Sequence, residues 1–164
     1  MSETPHSRRR FLKYAAIGSV IAIVSFAVTG YLLSSHQLQG GFGIYLTENN
    51  TLAISDEDIV WYNRTSHEIK LTEEGVKKIE GLQVSLYGSP FVTEISGEKI
   101  YSGYFVTPIS SISQPPSEVV IETLVQNNTI KIQIGYPPSQ FAAEDPRNNP
   151  KIFDHFQNIK KLVQ

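Results

Sequence analysis

The chain has 164 residues, 40% of them hydrophobic, with 14 basic and 16 acidic residues and a formal charge of −2. Four of the basic residues and one acid fall within residues 1–33, which leaves 10 basic against 15 acidic, a net −5, on the other 131 residues. An acidic body has no concentrated basic face for phosphate, which argues against nucleic acid, and the absence of cysteine excludes disulfides, thiolate nucleophiles, thiolate-bound zinc and a lipid-modified cysteine.

Arg8, Arg9, Arg10 and Lys13 run directly into Tyr14 to Leu33, twenty residues without charge. As a helix these rise about 30 Å, the thickness of a bilayer's hydrocarbon core. Residues 14–33 are therefore expected to be a transmembrane helix or signal anchor in the lipid bilayer, with residues 1–13 as a cytoplasmic basic flank. Basic residues before a span are held inside, and no positive charge follows until Arg64. The expected localisation is the cell membrane, single-pass, with the C-terminal domain extracytoplasmic. Ser7-Arg8-Arg9-Arg10-Phe11-Leu12-Lys13 resembles a twin-arginine export signal, in which Arg8, Arg9, Phe11 and Leu12 carry the match. Leu33-Ser34-Ser35-His36-Gln37 offers no Ala-x-Ala site, so the segment is expected to stay attached.

Residues 34–43 form a tether in which Gly40, Gly41 and Gly43 discourage a continuing helix, and residues 44–164 suffice for one extracytoplasmic α+β domain. Ile44-Tyr45-Leu46 and Leu52-Ala53-Ile54 flank a polar turn and predict a hairpin, with folding beginning near Phe42. Ser55 is placed to cap the acidic turn Asp56-Glu57-Asp58, and Ile59 to Tyr62 fit a strand. His67 to Leu71 alternate as a half-buried strand, and Thr72 caps a helix near residues 73–81 whose Val76, Ile79 and Leu82 share a face. Phe91 to Ile95 and Lys99 to Val106 pair through Ser96-Gly97-Glu98, where Gly97 suits a positive φ. After a Ser/Pro-rich excursion, Val119 to Leu124 and Thr129 to Ile134 make another hairpin, and Pro137-Pro138 stops the sheet. Pro150 opens a second helix, expected over residues 151–162. The expected architecture is an N-terminal transmembrane helix followed by an antiparallel or mixed sheet with two packed helices.

Leu71-Thr72-Glu73-Glu74-Gly75-Val76-Lys77-Lys78-Ile79, the strand at Phe91 to Ile95, then Gly97-Glu98-Lys99-Ile100-Tyr101 and Gly103, resemble the extracytoplasmic head domain of SecD-type protein-export proteins. The resemblance covers 35 to 45 residues and implies a related fold and an accessory, export-related role. It does not carry over the proton coupling of those proteins, because no ionisable side chain other than Tyr14 and Tyr31 lies between Tyr14 and Leu33.

No catalytic, cofactor-binding or metal site is expected. Asp56, Glu57, Asp58, His67 and Glu68 lack metal-ligand spacing and are read as solvated turn residues. His155 is read as a face residue of the last helix near Asp154, and Ser110, Ser111 and Ser113 have no glycine-framed elbow. Tyr101, Tyr104, Trp61 and Tyr62 are read as packing aromatics in preference to a recognition surface. Asn49, Asn63 and Asn127 begin Asn-x-Ser/Thr patterns and are the candidate glycosylation sites. The functional expectation is a non-catalytic, membrane-anchored extracytoplasmic module, export-related or otherwise, that contacts another envelope protein or an exported chain. The alternative is a small envelope hydrolase or metal-dependent enzyme.

Overall fold

The computed structural model of the protein describes residues 40–110, 113–139 and 145–164. The segment expected to span the membrane, the cytoplasmic flank and the export signal lie outside the described residues. Among the described residues, no helix is long and apolar enough to cross a membrane.

Short runs of β-branched and aromatic residues, broken by Asn, Gly and Pro, give nine strands. These are β1 (Phe42–Leu46), β2 (Thr51–Ser55), β3 (Ile59–Asn63), β4 (Glu68–Leu71), β5 (Ser89–Ile95), β6 (Glu98–Val106), β7 (Gln114–Glu122), β8 (Thr129–Tyr136) and β9 (Leu162–Val163). Two helices accompany them, α1 (Glu73–Glu80) and α2 (Pro150–Asn158). The strands form one sheet in the order β2-β1-β5-β6-β7-β8-β4-β3-β9. Neighbours run antiparallel except β6 with β7 and β3 with β9, so the sheet is mixed. The expected α+β sheet domain with two packed helices is found. Its first strand begins at Phe42, inside the stretch assigned to the tether.

β2 is an edge strand and β3 lies next to the opposite edge, yet one 3-10 turn, Asp56–Asp58, joins them. The sheet therefore curls until its two ends meet. Lys161 Nζ fastens the corner by donating to Asp56 O at 2.6 Å and Ile59 O at 2.5 Å. The core fills the inside of the curl. Ile130, Ile132 and Ile134 project from alternate positions of β8, Ile79 comes from α1, and Ile152, Phe153 and Phe156 come from α2. The Tyr62 and Phe156 rings stack with centroids 4.9 Å apart.

Turn chemistry sets the register. Ser96 (φ 53) and Gly97 (φ 79) both lie in the left-handed region, the requirement of a two-residue hairpin between β5 and β6. Asn127 and Asn128 do the same between β7 and β8. Thr72 Oγ1 accepts from Gly75 N at 3.1 Å, capping α1 as its sequence predicts.

Two expectations are corrected. α2 stops at Asn158 and does not continue to residue 162, because Lys160 turns left-handed at φ 59. Lys160 N then bonds Gln157 O at 3.0 Å and Lys161 N bonds Phe156 O at 2.8 Å, a pattern that ends the helix and releases Leu162 to pair beside β3. The strand expected from Val119 begins at Gln114, because the register shift between Gln114 and Val119 takes Pro115 and Pro116 into β7 without requiring their amides in the ladder.

Candidate functional site

The sequence-singled acids and histidines do not converge on one centre. Asp56 Oδ1 meets His155 Nε2 at 2.8 Å, and its Oδ2 accepts from Phe42 N at 2.9 Å. Asp58 is buried and accepts from the Ser55 amide and hydroxyl, both at 2.8 Å, while Lys78 Nζ lies 2.8 Å away. Burial alone would raise the Asp58 pKa; the bonds from Lys78 and Ser55 outweigh it and hold the carboxyl below its ordinary 3.8. His67 is buried with Nδ1 2.8 Å from Tyr62 Oη. Burial pushes its pKa below 6.5, Arg147 and Lys131 act the same way, and Asp145 opposes them. These residues are structural pins of the fold, which corrects their reading as solvated turn groups. Among the described residues no three metal-ligating side chains gather.

The remaining candidates separate cleanly. Tyr62 and Tyr101 are buried in the core, where burial pushes the Tyr101 phenol up to about 12, while Trp61 and Tyr104 stay half-exposed. Ser110 Oγ accepts from Thr107 N at 2.9 Å within a turn; Ser111 lies outside the described residues. Asn49 and Asn127 are exposed, whereas Asn63 is half-buried with its side-chain oxygen accepting from Thr65 N and Ser66 N.

Two surface features emerge that the sequence reading did not assign. The first is a set of apolar tips. Ser89 pairs with Phe105 and Val106 with Glu122, so the turns that precede β5 and follow β6 and β7 share one end of the sheet. Leu86, Tyr87 (76% exposed), Ile109 (74% exposed) and Leu124 all project there. The chain enters the domain at the other end, where Phe42 pairs with Ile95 and Ser96 N donates to Gly41 O at 3.0 Å. The seven residues of β5 separate the two ends by about 20 Å.

The second is a groove of about 430 Å³ on the sheet face turned away from the core, lined among others by Trp61, Glu68, Glu122, Leu124, Lys131 and Gln133. Glu68 and Lys131 are cross-strand partners of β4 and β8, and Gln133 sits opposite Val120 of β7. The Gln133 side-chain nitrogen has no hydrogen-bond partner among the described residues. That nitrogen is itself sealed from solvent, as are the unpaired Thr93 and Tyr101 hydroxyl oxygens, and an unmade buried bond of this kind costs about 1–3 kcal/mol. Period-two alternation puts Lys131 and Gln133 on the face opposite Ile130, Ile132 and Ile134, but the floor of the groove also needs Trp61, whose neighbourhood depends on the long-range β4–β8 pairing.

No family model matches the chain, and no curated protein or solved structure is similar to it. None of these comparisons bears on the expected resemblance to SecD-type head domains.

Proposed function

We propose that the chain is a non-catalytic, extracytoplasmic recognition domain, held on the membrane by residues 14–33, whose far end contacts another envelope protein or an exported chain. The address is supported by the step from Arg8, Arg9, Arg10 and Lys13 into twenty uncharged residues. The contact is supported by one observation, the placement of Leu86, Tyr87, Ile109 and Leu124 on turns at a single end of the sheet. Scattered exposed apolar residues are ordinary, but several on turns at one end, remote from where the chain enters, fit a protein-contact surface.

The test has two parts. Protease added to spheroplasts should remove the domain, and complete protection would reject the topology. A photo-reactive amino acid at Tyr87 of the anchored protein should give one discrete covalent adduct in cells. The same probe at exposed Gln157, on the last helix, should give none. Absence of any adduct at Tyr87 would reject the contact. Among the described residues Asp56, Asp58 and His67 each have separate partners and do not converge on one pocket, which favours the contact reading over a small envelope enzyme built on them.

A further inference from the structure

The loops that carry the apolar tips have no charge. No Lys, Arg, His, Asp or Glu falls within residues 81–93, 100–110 or 123–130, which hold Leu86, Tyr87, Ile109 and Leu124. Charge begins only at the margin, with Glu48 exposed in the turn between β1 and β2 and Glu122 just before the third loop. An apolar centre with a charged rim is the anatomy of a docking face.

The turns are braced from within. Ser85 Oγ accepts from Tyr87 N at 3.1 Å, and Ser89 Oγ accepts from Ser85 N at 3.2 Å. Ser110 N donates to Thr107 O at 2.9 Å, and Gln126 and Thr129 exchange backbone bonds of 3.1 and 2.9 Å. Each tip is thus held outward by bonds inside its own loop, so docking has little ordering left to do.

These features restrict what docks. A charge pressed against the loops would lose water without meeting an opposite charge. An extended segment needs main-chain bonds at a free sheet edge, but β5, β6 and β7 are interior strands, each paired on both sides. A helix brings its own main-chain bonds with it and asks only for apolar contact. The dimensions agree. The tips stand at the ends of three neighbouring strands, so they span about 10 Å, two inter-strand spacings, and a helix with its side chains is about 10–12 Å across. We infer that the partner presents the uncharged, apolar face of one α-helix to these three loops. This rests on the protein contact proposed above and names its chemistry.

Photo-reactive residues are placed singly at Tyr87, Ile109 and Leu124 of the anchored protein in its own membranes, and each adduct is sequenced at the linked residue. The three probes should reach uncharged residues of one partner segment, spaced three or four apart. Yields should hold steady from about 0.1 M to about 1 M salt, which shortens the screening length from about 10 Å to about 3 Å. With the probe at Tyr87, Ile109→Lys and Ile109→Glu should each lower the yield about tenfold or more, whatever the sign of the charge. Ile109 is 74% exposed, so neither change disturbs the core. No adduct from any probe rejects the contact itself, and this inference with it. A yield that falls with salt, a loss that depends on the sign of the charge, or linked residues spaced two apart would leave the contact standing and overturn the helix. An adduct to lipid, or to a second copy of this chain, would overturn it too.

Discussion

His155 Nε2 stands 2.8 Å from Asp56 Oδ1, joining α2 to the corner between β2 and β3 across 99 positions of sequence. The same carboxylate holds the first amide of β1 through Phe42 N. Asp56 thus ties three elements at the point where the curled sheet closes. Asp56→Ala is expected to cost about 2 kcal/mol, as it leaves the Phe42 amide and His155 without a charged acceptor, and His155→Ala about 1 kcal/mol. Urea unfolding of both single variants and the double variant should return a coupling of about 1 kcal/mol. Strict additivity would show that the pair is incidental.

Acid should loosen the fold in two stages. His67 is neutral when folded because burial, Arg147 and Lys131 lower its pKa, so the unfolded chain takes up a proton that the folded chain refuses. Its contribution is complete above pH 6.5 and is lost as pH falls from there to the folded pKa, where the loss levels off. Asp58 and Asp145 are also depressed, and their contributions are lost as pH falls below 3.8. Denaturant midpoints at pH 7.5 and 5 should therefore differ more for the unsubstituted protein than for His67→Gln. An equal difference would reject this account of His67.

Two glycines make opposite demands on a side chain. At Gly97 an added Cβ meets nothing within 4 Å, so the cost is conformational, arising from φ +79. At Gly103 it would lie 2.2 Å from Val119 O and 2.7 Å from Phe91 Cζ, in the seam where β6 pairs with β7. Gly97→Val should cost about 1 kcal/mol or more with the fold intact. Gly103→Ala should cost about 1–3 kcal/mol and shift backbone resonances along β7, since the neighbour that must yield is backbone. Amide spectra of the two variants distinguish the mechanisms.

Lys160 offers a gain. A non-glycine residue in the left-handed region costs about 1–2 kcal/mol, against about 0.4–1 kcal/mol for the extra freedom glycine gives the unfolded chain. Lys160→Gly should therefore raise stability by about 0.5–1 kcal/mol, visible as a higher melting temperature. A fall would mean that the Lys160 side chain holds the helix end by a contact of its own.

Local chemistry was legible in the sequence. Thr72 announced its cap, Gly97 its hairpin, Pro150 its helix start, and the β8 isoleucines their common face, because each depends on neighbours within a few residues. What stayed hidden depends on distance along the chain. Nothing near Asp56 names His155, and nothing near Leu162 says that it will lie beside Tyr62. The acids at 56 and 58 looked like solvated turn residues because their partners arrive from α1 and α2. The groove was hidden for the same reason, since Trp61 and Gln133 come together only after β3, β4 and β8 have paired.

The corner that brings β2 beside the opposite end of the sheet also sets an order of events during folding. Hairpins such as β5–β6 can form from adjacent sequence, but the curl closes only when α2 supplies Ile152, Phe153 and Phe156 and Lys161 clamps the turn. Those residues follow β1 to β8 in the chain. A nascent chain therefore holds an open sheet with its apolar interior uncovered until translation reaches them, which makes completion of the domain late and abrupt.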